Sequence, residues 1–141
     1  MQIIKCTEQD IEKVYSDFNK TLENLKPTQD ISEPYSVVTL TGAIGLFCLC
    51  CDYGYIFMRN YIEYQGCFLP VTAFPQMVLK AAREFGMINN EDIWLDILET
   101  RNLLAHIYDE DRAGEAIVKI KNEYISAFEE LKQNIDDNWL K

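Results

Sequence analysis

Apolar side chains recur along most of the chain at three- and four-residue steps, the spacing of amphipathic helices. Ile11, Val14, Tyr15, Phe18, Leu22 and Leu25 draw the first stripe. Thr7 followed by Asp10 marks its start as a relative of the capping box, Pro27 marks its end, and the segment through Pro34 reads as loop. A longer helix is predicted from about Ser36 to about Glu63, apolar nearly all round, so that neighbours are expected to cover most of it. Gln65-Gly66 closes it, and Phe68 to Thr72 crosses to the next element. Pro75 at a first helical position opens a third helix, with Val78, Leu79, Ala82 and Phe85 on one side and Gly86 as its stop. Asn89-Asn90 followed by Glu91 and Asp92 caps a fourth, with Ile93, Trp94, Ile97, Leu98 and Leu104 as apolar positions. After a turn near Asp109 to Asp111, a fifth runs to about Asn138 and buries Ala113, Ala116, Ile117, Ile120, Tyr124, Phe128, Leu131 and Ile135. Short connections between the last three make them antiparallel neighbours, so the expected fold is an all-α, up-and-down bundle of about five helices.

Composition narrows this further. At 141 residues the chain fits one domain spanning 1–141. Its net charge of −10 argues against a general nucleic-acid coat and leaves room for a small basic pocket or a basic partner protein. Five cysteines without framework spacing, and no signal peptide, read as reduced thiols of a cytoplasmic protein. Cys48-x-x-Cys51 has no second pair to complete a metal site, and packing is the favoured reading. No charge falls between Pro34 and Cys51, so a membrane span is weighed too. Ser36, Thr39, Thr41, Gly42 and Gly45 interrupt the run and Asp52 would sit deep in the bilayer, which favours a buried central helix and no membrane.

Chemistry concentrates between Glu99 and Glu110, around His106, the one histidine of the chain. Arg101, Asn102, His106 and Tyr108 offer a fixed cation, an amide, a group titrating near neutrality and a phenol. A lone histidine cannot support a multi-histidine metal site, so acid–base work or recognition is expected there, with no metal or cofactor. Helical spacing puts Asn102, His106 and Asp109 along one face, while Arg101 and His106 diverge by about 140° at roughly 100° per residue. Either the helix distorts near His106 or two copies of the segment meet across a twofold interface. If an RNA phosphodiester enters, His106 can take the 2′-hydroxyl proton, Arg101 can stabilise charge on the phosphate, and Asn102 can orient His106 or hydrogen-bond the substrate. The structural alternative pairs Arg101 with a nearby acid such as Glu99 or Asp109 and lets His106 cap a helix end. A second feature lies on the long apolar helix, where Thr41, Gly45, Cys48, Asp52, Tyr55 and Arg59 share a face. That seam reads as a close-packing groove or as the border of a pocket containing the His106 segment.

The run Arg101-Asn102-Leu-Leu-Ala-His106-Ile-Tyr108 resembles the Arg-x4-His-x-Tyr signature of HEPN proteins of the HepT type, also called nucleotidyltransferase substrate-binding proteins. Gly42-Ala43-Ile44 leading to Phe47, the run from Phe74-Pro75 to Gly86-Met87-Ile88, and Trp94 extend the likeness over roughly residues 36–135. The resemblance implies a helical-bundle homodimer with its motifs at a cleft. It also implies a cognate minimal nucleotidyltransferase antitoxin, MntA-like, in a type VII toxin–antitoxin pair. In such pairs the HEPN subunit is a metal-independent endoribonuclease, neutralised by AMPylation of the motif tyrosine, here Tyr108. Arg101 and His106 fall on the catalytic positions, with Asn102 and Asp109 in support. The alternative is a non-catalytic substrate-binding subunit in complex with the same partner. Cys48 stands where relatives often carry Glu, with Asp52 one turn later, and Ile56 replaces a basic residue. Lys80, Arg83, Arg112, Lys119 and Lys121 are candidates for a local basic rim.

Overall fold

The computed structural model describes residues 7–67, 69, 74–106 and 109–138, giving only the backbone of 105 and 106. Among these, α1 spans Glu8–Leu25, α2 Val37–Tyr64, α3 Pro75–Glu84 and α4 Glu91–His106. α5 (Glu110–Lys119) continues through a π-helical turn, Ile120–Tyr124, into α6 (Ile125–Asn138), and no strand occurs among the described residues. The expected all-α bundle of five helical rods is therefore what forms.

Local chemistry sets most of the ends. Thr7 and Asp10 make a full capping box, each side chain accepting from the other's backbone N–H. Ser36 Oγ accepts from the Thr39 N–H at 3.1 Å and starts α2. Asn90 Oδ1 accepts from the Asp92 N–H at 2.9 Å and starts α4. α2 and α3 both stop at a left-handed glycine, Gly66 (φ 89°) and Gly86 (φ 78°). In each case the next residue donates back five positions, Cys67 to Ile62 and Met87 to Ala82, which is the Schellman closure. Pro27 does not lead directly into loop: it sits in a 3₁₀ turn, Lys26–Asp30, which a proline in the first turn permits.

α2 is the axis of the bundle and packs on α1, α3, α4, α5 and α6. Leu40, Ala43, Ile44, Phe47, Cys50, Cys51, Gly54, Phe57, Met58 and Ile62 are its buried positions. Phe47 stacks on Tyr124 at 5.4 Å between centroids, and Trp94 meets Phe128 edge-on at 5.5 Å. The tightest approach is at Gly54, where a Cβ would lie 3.3 Å from both Phe18 and Trp94 and 3.4 Å from Leu131.

Three expectations need correcting. α2 is not covered on most sides: Val38 is 83% exposed, and Val37, Leu49 and Ile56 are open as well. The other helices wrap one side and leave the opposite apolar face bare, so all-round hydrophobicity overstated the burial that five helices can give one rod. α2 is also long and apolar enough to cross a membrane by length and composition, with 33% of that window buried. Phe85 is 38% exposed, its ring edge-on to Tyr61 at the bundle margin. The fifth rod, finally, is not a regular α-helix throughout, because the π turn interrupts it.

Gly54→Val should destabilise the fold by about 1–3 kcal/mol through overpacking. Gly114→Ala, where a Cβ meets nothing within 4 Å, should be neutral or stabilise by up to about 1 kcal/mol. Urea unfolding of the two variants checks both signs.

Candidate functional site

Arg101 is brought to α2. Its Nε donates to Asp52 Oδ1 at 2.9 Å and its Nη2 donates to Asp52 Oδ2 at 2.9 Å, a parallel two-bond pair. Neither Glu99 nor Asp109 is its partner; α4 turns Arg101 inward across α2, where the acid of an otherwise apolar stretch needs a cation. The pair is not deeply buried, with 29% of the Arg101 side chain and 42% of the Asp52 side chain exposed. Its hydrogen bonding to the Asp52 carboxylate raises the pKa of Arg101, so the guanidinium stays charged. Cys48, one turn before Asp52, is half-buried beside them. Burial pushes its thiol up, Arg101 pulls it down and Asp52 pushes it up. Cys51 is pushed up further by burial and belongs to the core.

The seam on α2 is thus split. Thr41 and Gly45 are exposed and no atom lies within 4 Å of a Cβ built on Gly45, so the close-packing reading fails there. Close packing falls instead on Gly54, on another face. Cys48 and Asp52 border Arg101. Arg59 pairs with Glu63 at 3.6 Å.

Around the motif, Asn102 and Leu103 are exposed, and His106 is the last residue of α4. The His106 side chain and the whole of Tyr108 lie outside the described residues, so the geometry relating them to Arg101 is not part of the picture. Asp109 does not extend the face of Asn102 and His106. It is the N-cap of α5, its Oδ1 accepting from the N–H groups of Asp111 at 2.9 Å and Arg112 at 3.4 Å. The turn expected near Asp109 to Asp111 is where α5 begins.

One network escaped the sequence reading. Thr100, next to Arg101, lies 2.9 Å from the Tyr124 hydroxyl, which also donates to Asp96. Burial first, then the Asp96 carboxylate, raises the Tyr124 phenol above its ordinary range and keeps it neutral. Lys119 Nζ reaches Asp96 at 3.4 Å. A buried aromatic in an apolar stripe gives no hint of its hydroxyl, and the π turn that aims it leaves no sequence signal. Of the five rim candidates, Arg83 pairs with Glu91, Lys119 with Asp96, and Lys121 donates to the Ile31 carbonyl.

Amphipathic helices wrapped around one side of α2, with Arg101 of α4 held to Asp52 of α2, define an all-α helical bundle. The profile of the family described as "Nucleotidyltransferase substrate binding protein like" matches residues 9–137, and the chain belongs to that family. No curated protein matches it.

If Asp109 acts as a cap, Asp109→Asn should keep both stability and any activity, since Asn caps as well as Asp. Asp109→Ala should lose about 1 kcal/mol. Thermal melts of the two variants separate a capping role from a charge role.

Proposed function

We propose that the protein is the HEPN-type subunit of a cytosolic toxin–antitoxin pair. In this reading it is a HepT-like, metal-independent endoribonuclease whose cognate minimal nucleotidyltransferase silences it by adding AMP to Tyr108. Membership in the substrate-binding family supports the nucleotidyltransferase partner. The observation that carries the catalytic part is Arg101: a permanent cation held at a partly open surface by Asp52, five residues before His106 on the same helix. In the reaction, His106 takes the 2′-hydroxyl proton and the 2′-oxygen attacks phosphorus. The bond to the 5′-oxygen breaks, leaving a 2′,3′-cyclic phosphate, that oxygen takes a proton from solvent water, and Arg101 stabilises the charge on the phosphoryl oxygens.

A homodimer completes the reading. The bare face of α2 carries Val38, Gly42, Gly45, Leu49 and Ile56. Apolar exposure of this kind marks an interaction surface. A twofold contact there would set two His106 segments near one cleft.

The second reading, a non-catalytic substrate-binding subunit, is favoured by one observation. The Arg101 charge is already met by a carboxylate in a chain of net charge −10, which weakens its pull on RNA.

Purified protein should cleave RNA without added metal, and His106→Ala prepared identically should lose at least about 100-fold, the usual contribution of a general base. Gly45→Arg should remain folded, run as a monomer in light scattering and lose activity with the dimer. Absence of cleavage in a dimeric protein unmodified at Tyr108 would favour the binding subunit.

Coexpression with the nucleotidyltransferase should add an adenylyl mass that Tyr108→Phe does not acquire. Intact-mass and peptide mass spectrometry read this out, and an adduct on another tyrosine would remove Tyr108 from the scheme.

A further inference from the structure

A guanidinium has five N–H donors arranged along distinct edges, and Asp52 occupies one edge only. Its two oxygens take the Nε and Nη2 donors, leaving both hydrogens of Nη1 and the second of Nη2. The unused edge is itself a fork that matches two oxygens of a phosphate. Among the described residues no other acceptor holds Arg101, and 29% of the side chain is open to solvent. The pair meets the Arg101 charge from the side nearest the chain and leaves the far edge unused.

We propose that Asp52 is a positioning residue for Arg101. It fixes the guanidinium from α2 through the Nε/Nη2 edge and presents the Nη1/Nη2 edge to an RNA phosphate. This rests on the phosphodiester reading above. An arginine on a flexible stem otherwise spreads over many rotamers, and anchoring one edge removes that freedom before the ligand arrives. Cys48 fits the same scheme as a compact, neutral neighbour that leaves Asp52 as the anion directly on Arg101.

The sign of the effect makes the test sharp. Removing a carboxylate from a protein of net charge −10 strengthens its general attraction for RNA. A positioning role predicts the opposite. The experiment compares wild type with Asp52→Asn, Asp52→Ala, Asp52→Glu and Arg101→Ala. One arm measures binding of a non-cleavable 2′-O-methyl oligonucleotide by fluorescence anisotropy, the other RNA cleavage as separate kcat and KM. Circular dichroism confirms that each variant is folded.

The expected result is binding weakened about tenfold in Asp52→Asn and Asp52→Ala, kcat lowered by a similar factor, and partial recovery in Asp52→Glu. Binding or cleavage that rises in Asp52→Asn and Asp52→Ala would overturn the proposal and make Asp52 a latch on Arg101. Unchanged values in those two variants, with Arg101→Ala impaired, would overturn it as well. Wild type that binds no oligonucleotide, or Arg101→Ala that binds and cleaves like wild type, would instead remove the phosphodiester reading on which it stands.

Discussion

The structure depends on covering one helix. α2 runs for 28 residues and its charges are Asp52, Arg59 and Glu63, so it has no polar side to give to water along most of its length. The other helices settle the matter by wrapping a single side, and Gly54 lets Phe18, Trp94 and Leu131 close on the backbone at the centre. Burying several large aromatic side chains there supplies most of the driving force. What remains is an apolar face with Val38 and Leu49 in the open, and the acid that borders it has drawn Arg101 across from α4.

Much of the fold was legible in the chain. The stripe from Ala113 to Ile135 is buried at every predicted position, because a helix periodic in its apolar residues has one way to face a core. Gly66 and Gly86 ended their helices for a local reason, the left-handed conformation that closes a Schellman turn. The failures came where tertiary geometry decides. Gly45 and Gly54 look alike in sequence, yet one lies in the open and the other at the tightest contact. Asp109 lies on the turn expected there, yet as the N-cap of α5 it leaves the polar face on which spacing puts it with Asn102 and His106.

The candidate site was legible in its residue types and not in its pairings. An acid in an apolar helix signals that a cation is needed, and that signal was present at Asp52. Which cation answers depends on how α4 crosses α2, which periodicity does not encode. Thr100, Asp96 and Tyr124 were invisible for the same reason, since their hydrogen bonds join α4 to a π turn about two dozen residues further along the chain.

Thr100 and Arg101 are consecutive, and they are tied in different directions: Thr100 to the π turn, Arg101 to α2. α4 is therefore clamped at one cross-section, and Leu104, about one turn on, still packs against the core. At about 1.5 Å of rise per residue, His106 stands roughly 7–8 Å beyond the clamp. The bearing of that last turn is set in part at the clamp, so residues as remote in sequence as Asp52 and Tyr124 share control of where the final turn of α4 points. A repacking against α2 or the π turn is therefore carried along the backbone of α4 to its last residue.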